Sequence, residues 1–280
     1  MSKPAPILRK LILLIIACFI ASIAWYCFFP RVGALRKHNP GTTSFMKYRE
    51  RQWQDEGRHV TIRRQWVNYN RISPFIARAV VVGEDAKFWR HDGFDLPAMK
   101  YALEKDLKTR KFALGGSTIS QQLAKNLYLS PSKNPVRKIK EAILTWRIEH
   151  TLTKRRILEI YLNVVEWGDG VFGIEAAAQH YYGHSAAQLS PREAAGLAAV
   201  LPNPIKFKPT SPMRYVARRS RLIYAIMLRQ GLAPPEQDSS AKKPQKEIEP
   251  HIDSTVVSGE AVQASPESSD IDAMLDSLAK

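Results

Sequence analysis

Three stretches of the chain gather side chains able to move protons or hold anions. The first runs GEDAKFWRHDG from Gly83 to Gly93. Two adjacent carboxylates, Glu84 and Asp85, follow an apolar run (Phe75 to Val82) that reads as a helix, and Phe88, Trp89 and His91 precede a turn at Asp92-Gly93. A carboxylate at a helix end among aromatic rings is held still and partly shielded from water, which suits a general base. The same pattern also describes a charged loop with solvated acids. The second stretch, GGSTISQQLAKN from Gly115 to Asn126, joins two glycines to a Thr118…Gln121 capping box at a helix start. Free amides there suit anionic or polyhydroxylated groups. Ile119, Leu123 and Leu127 form its buried stripe, leaving Gln121, Gln122 and Lys125 partly off it.

The third stretch sets Lys133, Arg137, Lys138 and Lys140, four cations within eight residues, beside Glu141. One reading is a solvated helix face with an Arg137–Glu141 pair at i,i+4, worth about 0.2–0.5 kcal/mol. The other is a cradle for a phosphate group, with Glu141 orienting the cations or holding a divalent ion. Spacing alone leaves both open.

The elements that must position these residues read as helical. Ser73-Pro74, Ser190-Pro191 (with Glu193 completing a capping box) and Ser211-Pro212 each give an N-cap followed by proline. The last opens a helix with Met213, Val216, Ser220, Ile223 and Met227 on one face, ended by Gly231. Ile139, Ile143 and Trp146 form a further stripe, as do Ile157, Tyr161 and Val164; both read as core. His59 to Tyr69 alternates weakly and suggests a short extended segment.

Leu11 to Phe29 is a charge-free run of 19 residues, long enough to span a bilayer. Basic residues flank it on both sides, so charge bias does not fix its orientation. An uncleaved anchor fits better than a cleaved signal peptide, because cleavage near Ala24 leaves Trp25 to Phe29 as an apolar soluble terminus. The chain therefore divides into an anchor (1–30), a polar and basic juxtamembrane connector (31–58), a mostly helical domain (59–232) and a tail (233–280). The tail, rich in Pro, Ser, Glu and Lys and free of aromatic residues, reads as disordered. Within it, Ile271 to Ala279 reads as a frayed end rather than an amphipathic helix.

The net charge is +16, unevenly spread: residues 234–280 carry −6, leaving +22 on the rest. A folded part that basic expects an anionic partner such as nucleic acid, anionic lipid or a phosphorylated substrate. Cys18 and Cys27 both lie in the apolar segment, which excludes a disulfide framework and a cysteine metal site in the remainder. His180 and His184 at i,i+4 lack a third ligand, and Gly183 between them marks a helix end, so no metal site is read there.

In this order the three stretches resemble the signature motifs of the peptidoglycan glycosyltransferases, the enzymes that polymerise lipid II. The resemblance continues through KRRILEIYLNVVEWGDGVFGIEAAAQHYYG (Lys154 to Gly183) and LSPREAAGLAAVLPNPIKFKP (Leu189 to Pro209), covering about residues 60–230. It is closest to monofunctional members with a short anchor and no transpeptidase: the S-x-x-K matches at Ser44 and Ser239 lie in the connector and the tail, and no K-T-G follows. The resemblance implies a mostly α, lysozyme-like glycosyltransferase domain with a smaller, mobile, membrane-facing lobe, preceded by one transmembrane helix. It places the catalytic base on Glu84 and a second catalytic glutamate on Glu141. It assigns the donor's pyrophosphate and sugars to Ser117, Thr118, Gln121, Gln122, Lys125, Lys133, Arg137, Lys138 and Lys140. Lys133 stands where some members have Arg, which keeps the charge but loses the bidentate fork. No cofactor is required by the resemblance, though a divalent cation, Mg or Mn, at the pyrophosphate is compatible with it. Its partners are lipid II, the growing glycan strand and membrane lipids, with other cell-wall synthesis or division proteins as candidates and nucleic acid excluded. The implied location is the bacterial inner membrane, single-pass, with the catalytic domain periplasmic. Phe88, Trp89, Phe94 and Phe112 are candidates to dip into the bilayer.

Lipid II polymerisation needs a base for the acceptor hydroxyl and cations for the departing pyrophosphate. A lytic glycosidase instead needs a glutamic acid with a raised pKa. Cations from 125–140 near Glu84 are expected to favour its ionised form and hence transfer. A membrane-tethered basic binding protein is the non-catalytic alternative; it rests on net charge and leaves Glu84 unexplained.

Overall fold

The computed structural model describes residues 6–109, 116–131 and 134–234. The chain opens with α1 (Pro6–Phe28), an apolar helix long enough to cross a membrane and not buried against the rest of the protein over its apolar window. A single 3-10 turn (Val32–Arg36) and α2 (Ser44–Asp55) follow. Residues 31–58, expected to be a connector, are thus partly helical and pack into the body. Val32, Leu35, Met46 and Trp53 are buried, and Met46 and Trp53 close on Phe172 with Phe45, Val60 and Ile62. The pattern was hidden because the same helix face also carries a charge that ends up buried. Arg49 reaches Glu166 Oε1 at 3.1 Å and Asp169 Oδ1 at 3.0 Å, and Trp53 Nε1 donates to the same Asp169 oxygen at 3.1 Å.

A small sheet carries those partners: β1 (Arg63–Arg64) pairs in parallel with β3 (Val171–Phe172), which pairs antiparallel with β2 (Glu166–Gly168). The expected extended segment over 59–69 is this two-residue strand. Buried Asn163 ties it down, accepting from Val67 N–H at 2.8 Å and donating to Val67 O at 2.9 Å.

One helical layer is α3 (Pro74–Glu84), α9 (Pro191–Val200) and α10 (Arg214–Arg229), with α9 packed against both others. Ser73 and Ser190 cap α3 and α9 with proline at the first turn, and Glu193 closes a capping box on Ser190. Ala194 to Val200 are fully buried; their small side chains let the neighbours come close. Gly83 does the same on α3: a Cβ there would lie 3.0 Å from Ile223 Cδ1 of α10. α10 begins at Arg214 rather than at Ser211-Pro212, because Ser211 Oγ accepts from Met213 N–H in a turn ahead of the helix. Val216, Ile223 and Met227 are buried as expected, while Met213 stays exposed.

The other layer holds α5 (Ile119–Tyr128), α6 (Pro135–Thr151), α7 (Lys154–Val164) and α8 (Ile174–Tyr182), with α5 packed on α2, α6 and α7; α4 (Leu96–Thr109) precedes it in the chain. Ile119, Leu123 and Leu127 are buried, as are Ile157, Tyr161 and Val164. The Ile139–Ile143–Trp146 stripe is not core: Ile139 and Trp146 are 46% and 55% exposed. The buried face of α6 is Glu141, Leu144, Thr145 and Ile148, so hydropathy pointed to the wrong side because two of its four buried residues are polar. Phe88 is fully buried, with Lys154 Nζ 4.6 Å from its ring centroid, and so is no membrane residue. Trp89 is exposed and Phe94 half-buried. Phe112 and the tail from residue 235, including Ile271 to Ala279, lie outside the described residues.

Arg49→Met leaves Glu166 buried without its cation and is expected to cost about 3–5 kcal/mol, seen as a fall in thermal midpoint. Adding Glu166→Gln should return part of that loss, since no bare buried charge remains.

Candidate active site

Glu84 is the last residue of α3, and its side chain is 11% exposed. Oε1 accepts from Arg219 Nη2 at 2.9 Å, and the same nitrogen donates to Gly83 O at 2.8 Å. Oε2 accepts from Gln122 Nε2 at 2.9 Å. The orientation of Gln122 is fixed in turn by Tyr161, whose hydroxyl donates to Gln122 Oε1 at 2.9 Å. Three helices thus converge on one carboxylate: α10 through Arg219, α5 through Gln122 and α7 through Tyr161. Gly83 makes the first possible, because Arg219 sits one turn before the Ile223 that approaches it.

Burial pushes the Glu84 carboxyl above its ordinary value of 4.5, and Arg219 is the largest influence opposing it, ahead of the Gln122 hydrogen bond. This departs from the expectation that cations would favour the ionised form outright; desolvation outweighs them. Tyr161 is fully buried and pushed well above its ordinary value by desolvation first, then by the charges of Glu84 and Asp85.

Asp85 has a separate task. Its Oδ2 accepts from the Ile119 amide at 3.0 Å, at the start of α5, and its Oδ1 is 2.8 Å from His91 Nε2. Gly93 N–H donates to His91 Nδ1 at 3.1 Å, which leaves the ring proton on Nε2 to donate to Asp85. Thr118 completes the junction, donating from Oγ1 to Gly93 O at 2.7 Å while capping α5 with buried Gln121. Gly93 (φ +92) has no room for a side chain: a Cβ would lie 2.8 Å from Thr145 Cγ2 and 2.9 Å from Glu149 Cγ. The acid pair therefore divides its roles, with Glu84 at a polar, cation-bordered position and Asp85 stapling the motif to α5.

Glu141, 3% exposed, accepts from Arg137 and Lys138 on separate oxygens. Lys138 Nζ also lies 3.5 Å from Ser117 Oγ, and Ser117 O is 3.5 Å from Gln122 Nε2. A continuous polar path thus links Glu84, Gln122, Ser117, Lys138 and Glu141. Lys125 lies within electrostatic reach of both glutamates; burial lowers its pKa, opposed chiefly by Glu141 and more weakly by Glu84. The fold brings together Glu84, Ser117, Gln122, Lys125, Arg137, Lys138 and Glu141. It sets Thr118 and Gln121 into the cap, and it turns Lys140 toward α1, with Nζ 4.8 Å from the Tyr26 ring centroid. Lys133 lies outside the described residues. Among the described residues no group of three or more His, Cys, Asp or Glu is placed to hold a metal ion. Each Glu141 oxygen is engaged by one cation.

Two contributors escape sequence reasoning. Arg219 falls one position off the apolar stripe of its helix, and only the packing at Gly83 shows it turning inward. Tyr161 reads as a core ring, and nothing local signals its hydroxyl.

A near-buried glutamate is joined through hydrogen bonds to a cation cluster inside a mostly helical frame, an arrangement suited to proton transfer beside an anionic group, and the apolar N-terminal helix is long enough to cross a membrane. Known proteins narrow this. The family described as Transglycosylase matches residues 53–228. A biosynthetic peptidoglycan transglycosylase from Janthinobacterium sp. (strain Marseille) is 47% identical over 223 residues, 79% of this chain and 96% of that protein. Proteins described in the same words from Methylobacillus flagellatus and Dechloromonas aromatica are each 49% identical, covering 68% of this chain and 83% and 82% of their own lengths. The chain belongs to the transglycosylase family.

Arg219→Met removes the main opponent of desolvation and should raise the Glu84 pKa further, read by 13C-NMR titration of the carboxyl. The raised folded value means that this group's contribution to stability is full below about pH 4.5 and declines as pH climbs through the folded pKa. The variant should widen that declining window upward, and an unchanged Glu84 titration would count against the assignment.

Proposed function

We propose that this peptidoglycan glycosyltransferase polymerises lipid II into β-1,4-linked glycan with release of undecaprenyl diphosphate, using Glu84 as general base. The acceptor's C4 hydroxyl loses its proton to Glu84 as its oxygen bonds to C1 of the donor sugar. The C1–oxygen bond to the diphosphate breaks on the opposite face, inverting the α linkage to β. Arg137, Lys138 and Lys125 take up the charge on the departing diphosphate, and Ser117 and Gln122 position the sugars. Glu141 orients the two cations that it binds. No protein-held metal enters this scheme. The domain is expected at the inner membrane with the active site on the periplasmic side, where α1 keeps it level with lipid-linked substrate.

The observation that carries the reading is the polar path from Glu84 to the Arg137–Lys138–Glu141 cluster. A base and an anion grip in one continuous site match a diphosphate leaving group. The raised Glu84 pKa is compatible with a base, since a value nearer the working pH gives a more effective proton acceptor. It is also what a glycosidase acid requires, and that reading is the competitor. A glycosidase needs a second free carboxylate about 5–9.5 Å away, and the adjacent Asp85 is committed to the Ile119 amide and His91.

Glu84→Gln should retain the fold and lose about two or more decades of polymerisation, the range of general base catalysis; near-wild-type chain growth from lipid II overturns the assignment. Sizing products separates the readings: long strands from lipid II mean transfer, shortened preformed glycan means cleavage. Arg137→Met should chiefly raise the donor concentration needed for half-maximal rate, and an unchanged donor response would remove Arg137 from the diphosphate site.

A further inference from the structure

Lys140 and Arg147 lie seven residues apart on α6, on the face turned to α1. Besides the Lys140–Tyr26 contact, Arg147 donates to Tyr26 O at 2.8 Å from Nη1 and to Phe28 O at 3.0 Å from Nη2. The sequence explains why the Tyr26 carbonyl needs an outside donor, and the Val32 amide that would serve Phe28 O turns instead to Pro30 O at 2.8 Å. In an α-helix Tyr26 O would accept from the amide of residue 30, but residue 30 is proline and has no N–H. One residue earlier the pattern still holds, with Phe29 N–H donating to Trp25 O at 2.8 Å. An unpaired carbonyl at the edge of an apolar segment is costly, and a cation at a helix C-terminus also complements the helix dipole. The chain beyond is tied to the same part of the body. Arg36 Nε donates to Thr151 O at 2.8 Å, and Arg156 donates to Leu35 O at 2.9 Å and His38 O at 3.2 Å. Exposed Ile139 and Trp146 stand next to the two gripping residues on α6, with the composition of a membrane–water boundary.

We propose that Arg147 and Lys140 act as positioning residues, clamping the last turn of the anchor to α6 and so fixing the depth of the active site relative to the bilayer. α6 carries the Arg137–Lys138–Glu141 cluster on its first turns and the clamp on another face. Anchor and anion grip therefore move as one piece. This rests on the reading of α1 as a membrane anchor and of the substrate as lipid-linked.

The test uses the full-length protein with Cys18→Ser, leaving Cys27, between the two gripped carbonyls, as the sole thiol for a nitroxide spin label. Arg147→Ala should sharpen the label's spectrum as the turn loosens, and Arg147→Lys should do so less. With lipid II in vesicles, Arg147→Ala should slow polymerisation by up to about 100-fold, the cost of misplacing reacting groups by about 1 Å, while in detergent micelles the rate stays within about twofold. An unchanged label spectrum overturns the clamp. Equal losses in both media, or none in vesicles, overturn its role in setting depth. A wild-type protein inactive in both media would instead sink the functional reading, and the label spectrum alone would then decide the clamp.

Discussion

The structure depends on keeping one carboxylate dry without leaving it alone. Glu84 is nearly buried, and burial by itself favours the protonated form. Arg219 and Gln122 supply one donor to each oxygen and hold the group in a single orientation. Much of the surrounding packing serves that arrangement: the small residues of α9, the missing side chain at Gly83 and the buried Tyr161 hydroxyl together let three helices meet at one point. A bulkier residue at Gly83 would push Ile223, and with it Arg219, away from the carboxylate.

A second pattern is the division of labour between adjacent or facing acids. Asp85 sits beside Glu84 yet faces backbone and His91, so it gives rigidity rather than chemistry. Glu141 is equally buried but neutralised by two cations. Breaking such a buried pair costs more than its net contribution to stability, because the surviving charge stays desolvated. That cost keeps the cations in place when no anion is bound.

Legibility from sequence followed the range of the interactions. Caps and apolar stripes depend on residues three or four apart, and the starts of α3, α5 and α9 could be read directly. Glu84, Asp85 and the cation cluster stood out because their spacing is local and their chemistry unusual. Arg219 did not, since its meaning comes from a helix 135 residues away in sequence. The face of α6 was misjudged for a related reason: Glu141 and Thr145 go inside because they find partners there, while Ile139 and Trp146 stay outside. Hydropathy ranks residues by transfer from water and cannot know which polar groups will be satisfied. Residues 31–58 misled in the same way, because Arg49 is buried beside Trp53 once Glu166 and Asp169 reach it.

That docked segment bears on how the molecule can be cut. The stretch matched by the family begins at residue 53, in the middle of α2. A fragment started there to dispense with the hydrophobic leader would discard Met46 and Arg49, expose the seat of Phe172 and strand two acids on the small sheet. The folding unit is larger than the stretch matched by the family, and a water-soluble version should begin ahead of Val32, so that buried Val32 and Leu35 and the cap of α2 at Thr43 stay with the body.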